Sequence, residues 1–172
     1  FSSGHDLKEI TLARDHEDDG NSYLMKLFDV CSLLMQSIVD RTKPVIAEVN
    51  GVATAAGCQL VASCDLAISS NNSKFATPGV NLGLFCSTPM VALSRNLSKK
   101  DAMKMLLTGD MVDAKEAKNI SLINEHVSED ELSQTVMKLA QKIANKSSMT
   151  IKTGKKAFYK QIEMNLSDAY EY

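Results

Sequence analysis

Two glycine-containing segments hold the residue types and spacing that can do chemistry: FSSGHDLKE at positions 1–9 and NGVATAAGCQL at positions 50–60. The first sets small residues and one glycine before a charged stretch. The second sets small residues and two glycines where an apolar strand hands over to a helix. Such junctions leave backbone N–H groups unpaired and pointing outward, which favours anionic oxygen. Small side chains let a ligand approach that backbone closely. Either segment alone is also what an ordinary structural turn looks like; only the pair points to a ligand.

The elements that must position them are legible from periodicity. ARDHEDDGNS reads as an exposed acidic loop. Leu24, Leu27, Phe28, Cys31, Leu34, Met35 and Ile38 then recur at three- and four-residue steps and predict an amphipathic helix, with Asn21 or Ser22 as its cap. Arg41, Thr42 and Lys43 close it, and Pro44 forbids continuation. PVIAEVNG predicts a strand ending in an Asn-Gly turn, ATAAGCQLVASC a helix in close packing, and DLAISS a second strand. Two apolar strands around a small-residue helix predict a right-handed βαβ unit.

Beyond Phe85 the pattern is helical. DAMKMLLTG ends on Gly109 as a C′ glycine, Asp113 to Lys118 predicts a short helix, and LINEHV a small strand. Ser128 and Glu131 predict a capping box for the helix carrying Leu132, Val136, Leu139, Ala140 and Ile143. A last helix runs through KKAFYKQI, and Asn165 to Tyr172 begins a further element.

Composition narrows the classes. The 172 residues suit one domain, and 44% hydrophobic with 23% charged residues is ordinary for a globular chain. A formal charge of −2 argues against nucleic acid as partner. Lys152, Lys155, Lys156 and Lys160 read as a solvated helix face. Cys31, Cys58, Cys64 and Cys86 form no CxxC pair and have no histidine cluster beside them, so they read as reduced thiols and no metal site is expected. No uninterrupted apolar run approaches bilayer-spanning length, so no membrane span is expected. The chain opens without methionine on the first loop, and the expectation is of a fragment whose early residues and any targeting signal lie upstream.

Together the two loops resemble the crotonase family (enoyl-CoA hydratase/isomerase), in the manner of its divergent hydratase domain-containing members. FSSGHDLK resembles the family's first loop, and NGVATAAGCQL with Cys64-Asp65 resembles its second. FATPGVNLGL is similar to its F-x-x-P-E-x-x-x-G segment, and Thr108-Gly109 with AKEAKNISLINEHV to its downstream signature. The resemblance implies an α/β crotonase-like fold, a repeated ββα core with appended C-terminal helices, whose N-terminal strands are missing from this chain. It implies a single domain over 1–172, with the acyl-CoA loops in a core at 1–127 and a C-terminal helical region at 128–172.

The same resemblance implies that the amides of His5 and Ala56 form an oxyanion hole for a thioester carbonyl, and that His5, Asp6, Leu7 and Lys8 run beside the CoA moiety. Family hydratases use two glutamates, and the matching positions here are Gln59 and Gly79. Gln59 is neither acid nor base and Gly79 has no side chain, so hydration by the usual route is not expected. The stretch LFCSTPMVALSR offers Cys86, Ser87 and Thr88 but no carboxylate, while Asp65 and Glu48 read as structural. Asp6 is expected to order the loop through nearby amides. No cofactor beyond the CoA of the substrate is implied. The expected readings are altered acyl-CoA chemistry in fatty acid metabolism, a catalytically silent acyl-CoA binder, or a scaffold without ligand. A homotrimer or hexamer and a mitochondrial location follow from the resemblance alone.

Overall fold

The computed structural model describes residues 1–172 and is α/β, as expected. Its centre is two small sheets fed alternately by one chain. β1 (Ile46–Val49), β3 (Leu66–Ser70) and β6 (Glu125–Val127) form a parallel sheet in the order β1-β3-β6. β2 (Val52–Thr54), β4 (Lys74–Ala76) and β5 (Val112–Asp113) form the second, with β2 parallel to β4 and β5 antiparallel to it. The expected βαβ pairing of PVIAEV with DLAISS is present, in the register Ile46↔Leu66 to Val49↔Ser69. Ala53 and Thr54, expected in the helix, are strand because they pair with Phe75 and Ala76. β5 lies in the region read as helical, too short at two residues to show a period.

Helix α1 (Leu7–Ala13) is followed by turns and by α2 (Asn21–Asp40). The cap of α2 differs from expectation. Gly20 is the N-cap at φ 80°, and the Asp18 carboxylate accepts from Gly20 N (3.1 Å) and Ser22 N (2.8 Å). A carboxylate reaching forward from outside the helix does the work assigned to Asn21 or Ser22. Of the predicted apolar stripe, only Cys31 and Ile38 are buried, while Phe28 and Leu34 are exposed. By length and composition alone the 20-residue α2 is long and apolar enough to cross a membrane, with a mean hydropathy of 1.3 over 18 of its residues. Lys26 and Asp29 interrupt it, and in this fold it packs on α1 and on α3 (Ala56–Ser63).

The main core holds Val49, Ala53, Cys58, Val61, Phe75, Leu93 and Leu106, from both sheets, α3, α4 (Ser87–Asn96) and α5 (Lys99–Thr108). A second cluster of Ile68, Leu132 and Val136 seats α7 (Glu129–Ala144) on the first sheet. Gly109 ends α5 in the left-handed region at φ 65°, as expected. Asp113 caps α6 (Ala114–Asn119), accepting from Glu116 N at 2.8 Å. The predicted box at Ser128 is altered: its hydroxyl donates to the Glu131 carboxylate and accepts from no backbone N–H.

The chain closes with α8 (Ser148–Gln161) and α9 (Leu166–Glu171). Lys155 on α8 was expected on a solvated face. Instead its side chain is 7% exposed and forms a 2.7 Å ion pair with Asp65. Asp65 also accepts from Tyr159 Oη (2.9 Å) and Val45 N (2.7 Å), and Lys155 Nζ donates to the Ile38 carbonyl at 2.9 Å. One ion pair thus joins α8, the end of α2 and the entries to β1 and β3. A charge pattern in sequence reports the helix face but not the single inward-turning lysine.

Candidate functional site

Strand-to-strand bonding fixes the two glycine segments against each other. Ser2 bridges Ala53 in parallel, with Ser2 N donating to Val52 O and Thr54 N to Ser2 O, both at 2.9 Å. Gly4 sits at φ 96°, where a Cβ would lie 3.1 Å from both Ala55 Cβ and Ala56 N. The approach of backbone to backbone requires glycine there. Gly57 meets the same constraint from the other side: a Cβ would run into the Ser2 carbonyl oxygen and lie 2.8 Å from its carbon.

Ala55 turns the chain from β2 into α3 at φ 50° and ψ −120°, a left-handed corner on a residue with a side chain. Such conformations cost about 1–3 kcal/mol and persist only where the surroundings hold them. Here Ala55 N donates to Ala76 O at 3.0 Å. The corner aims the Ala56 N–H, the first amide of α3, away from any acceptor in its own helix. Neither that N–H nor the His5 N–H donates to another group in the chain. The positive end of the α3 dipole adds to the field at this point.

The side chains around these amides are placed as follows. The half-buried His5 ring meets Phe28 of α2 edge-on, with centroids 6.0 Å apart, and its Nε2 is enclosed without a partner. Asp6 caps α1 by accepting from Lys8 N at 2.8 Å, the ordering role expected of it. Leu7 and Lys8 were expected in a loop; they form the first, exposed turn of α1. Gln59 follows Ala56 by one helical turn and is buried at 5% exposure, with Oε1 3.9 Å from the Cys31 thiol. Gly79 is the second residue of a 3₁₀ turn (Pro78–Leu82), and its N–H donates to Cys86 Sγ at 3.3 Å.

Residues 66–100, which include Gly79 and the turn after it, contain neither Asp nor Glu. Asp65 is held by Lys155, and Glu48 accepts from Ser133, so both are structural as read. Residues missed by the sequence reading are Phe28 and Thr77. Phe28 was assigned to the core stripe, yet it faces His5. Thr77 is fully buried with an unpartnered hydroxyl, next to the Ala76 carbonyl that holds Ala55. Neither has a signal in residue type or spacing.

The four cysteines are all free. Burial pushes the Cys58 thiol up to about 12, with a further contribution from Cys86 nearby, and pushes Cys64 up to about 11. Burial raises Cys31 as well. Since the thiolate is the nucleophile, native protein at pH 8 is expected to keep Cys58 and Cys64 unmodified by iodoacetamide. All four become alkylated in denaturant; peptide mass spectrometry reads both states.

A family model described as enoyl-CoA hydratase/isomerase matches residues 1–172. The chain is 51% identical over 170 residues to the mitochondrial enoyl-CoA hydratase domain-containing protein 3 of Rattus norvegicus, and 51% identical to that of Homo sapiens. It covers 55% and 54% of those proteins, and they cover 99% of it, so it spans about half the length of these relatives. The crystal structure of the human protein superposes with a TM-score of 0.92 over 99% of this chain and 66% of that one. A Mycobacterium smegmatis enoyl-CoA hydratase structure, 46% identical, gives 0.93 over 99% of this chain and 65% of its own.

Proposed function

Given that this chain belongs to the enoyl-CoA hydratase/isomerase family, we propose that it binds an acyl-CoA thioester with the carbonyl oxygen held between the amides of His5 and Ala56. The observation that carries this reading is the pair of unpaired N–H groups brought together by Gly4, Gly57 and the Ala55 corner. A thioester carbonyl gains negative charge whenever its α-carbon becomes enolate-like or its own carbon is attacked. Two preorganised donors stabilise that charge, each worth about 3–4 kcal/mol of barrier. CoA arrives as part of the substrate, and the chemistry calls on no further cofactor. Asp6, Leu7 and Lys8 lie at the edge where the CoA portion would enter, and the exposed Lys8 ammonium suits its phosphates.

Gln59 and Gly79 separate this site from hydration through paired glutamates. Gln59 moves no proton near neutral pH, and each missing proton-transfer group costs about 10²–10⁴ in rate. Reactions that draw mainly on oxyanion stabilisation fit the site better: decarboxylation, thioester hydrolysis or isomerisation of an acyl-CoA in fatty acid metabolism. Gln and Gly at positions 59 and 79 also favour a second reading, an acyl-CoA binder without turnover that regulates or assembles with other proteins. A mitochondrial location completes the proposal by analogy with relatives named mitochondrial, and a trimer or hexamer by the family resemblance alone.

Calorimetric titration with crotonyl-CoA and acetyl-CoA, beside an absorbance assay for loss of the enoyl thioester, tests the proposal. Saturable binding with negligible hydration is expected. Binding with fast hydration would contradict the roles given to Gln59 and Gly79, and no binding would contradict the oxyanion hole.

Glutamate at position 79 is not expected to rescue hydration. A Cβ there would lie 2.7 Å from Leu84 O and 2.8 Å from Cys86 Sγ, so the 84–86 turn must first move. Gly79→Glu is therefore expected to lose about 1–3 kcal/mol of stability by overpacking, read by urea unfolding, with no gain in hydratase rate. The thiol of Cys86 fills the space a carboxylate stem would need.

A further inference from the structure

We propose that the bend between α7 and α8 binds a free alkyl carboxylate, its chain in an apolar hollow against β1 and its head between Lys43 and Lys146. This site lies apart from the pair of amides at His5 and Ala56 and does not depend on the thioester reading.

The hollow follows from how α8 is held. The chain turns back at residues 145–147, and no residue of α8 is fully buried. The helix is fastened instead by Lys155 and Tyr159 to Asp65. One turn before that anchor Ile151 is only half-buried, and a cavity of about 340 Å³ remains between it, α7 and β1. Ile46, Ala140 and Ile143 supply the rest of its apolar lining. Ligand pockets span about 300–1,000 Å³, so this one suits a single hydrocarbon chain better than a nucleotide or a two-chained phospholipid. A second hollow of about 410 Å³ shares Pro44, Ile143 and Ile151 with it. There the polar lining groups Asp65, Lys155 and Tyr159 already satisfy one another, so it offers room and no free charge.

Charge names the head group. Residues 132–162 contain seven lysines and no Asp or Glu, in a chain whose net charge is −2. Of the seven, only Lys155 is ion-paired. Lys146 lines the hollow together with Lys43 from the segment before β1, and both are exposed without a carboxylate partner. The start of α8 at Ser148 borders the same mouth, and its first turn holds no acidic residue to answer the helix dipole. An apolar floor under a cationic rim fits a carboxylate on an alkyl chain. An alkylammonium would be repelled at that rim, and a neutral alcohol would gain only from burial of its chain.

Calorimetry on the full chain with octanoate, 1-octanol and octylamine, each below its micelle range, tests this. Octanoate is expected to bind saturably and roughly tenfold tighter than 1-octanol, the scale of two exposed ion pairs and a helix terminus, with octylamine weakest. Lys43→Gln combined with Lys146→Gln, both at exposed positions, should bring octanoate to about the affinity of 1-octanol. Ala140→Leu fills the hollow and should weaken octanoate by roughly tenfold or more while leaving crotonyl-CoA titrations unchanged. Gly57→Ala, which disturbs the thioester site, should leave octanoate binding as it is. Loss of octanoate binding in Gly57→Ala with retention in Ala140→Leu would place the acid in the thioester site and overturn the inference. Equal affinity for the three alkyl probes, or no binding of octanoate, overturns it as well. Self-association of the chain that Ala140→Leu abolishes, without octanoate binding, would give the hollow to a second copy and also overturn it.

Discussion

Gly57→Ala is expected to abolish acyl-CoA binding and to lower stability by about 1–3 kcal/mol, the cost of forcing a methyl group into a closed contact. The added carbon would collide with the Ser2 carbonyl, and the three nearest atoms, the oxygen, carbon and Cβ of Ser2, have no freedom to swing away. Ser2 is the residue whose N–H and carbonyl tie the first segment to Val52 and Thr54. Pushing it outward carries Gly4 and the His5 amide away from Ala56. Affinity should therefore fall by more than the stability loss alone implies. Gly154→Ala is the control: nothing lies within 4 Å of a Cβ there, in the middle of α8, and the change is expected to be neutral or stabilising by up to about 1 kcal/mol. Urea unfolding and calorimetry on both variants give the comparison.

Lys155→Ala is expected to have the largest effect on stability, a loss of about 3–5 kcal/mol, because it leaves the Asp65 charge enclosed without its counter-ion. Asp65 is 14% exposed and keeps only the Tyr159 hydroxyl and the Val45 N–H as partners once the ammonium is gone. The carbonyl of Ile38 also loses its donor, so the end of α2 is loosened with α8. Replacing both charges together, as Asp65→Asn with Lys155→Met, should cost clearly less than Lys155→Ala, since breaking a buried pair is worse than removing it. Denaturant midpoints of the single and double variants check the ordering. Thiol access at Cys64, adjacent to Asp65 and half-buried, should rise in Lys155→Ala if the cluster opens locally.

The parts of this fold that were legible in sequence are those whose signal is local. The periodic apolar positions of α2 gave its length, the apolar run before Asn50-Gly51 gave β1, and Gly109 marked the end of α5 through its left-handed φ. What escaped was decided by partners distant in the chain. Ala53 and Thr54 look helical beside AAG and become strand only because Phe75 and Ala76 lie alongside. Phe28 and Leu34 share the spacing of Cys31, yet they stay exposed because α3 covers only one edge of the stripe. Lys155 differs from its neighbouring lysines only in facing a carboxylate ninety positions away.

The candidate site divides along the same line. The glycines at 4 and 57 are readable because close backbone approach admits no other residue, and Gln59 and Gly79 are readable as departures from a pattern. The Cys86 sulfur over Gly79, the Cys31 thiol at Gln59 and the enclosed Thr77 hydroxyl needed coordinates. They determine how the site is filled, and so whether a substituted carboxylate would have room to act.

The central claim is that two backbone amides polarise a thioester carbonyl, and infrared difference spectroscopy of bound acyl-CoA labelled with carbon-13 at that carbonyl tests it most directly. The account predicts that the labelled carbonyl band moves to lower frequency on binding, as hydrogen bonds from His5 and Ala56 weaken the double bond. Saturable binding with the band unmoved from its position in water would contradict it.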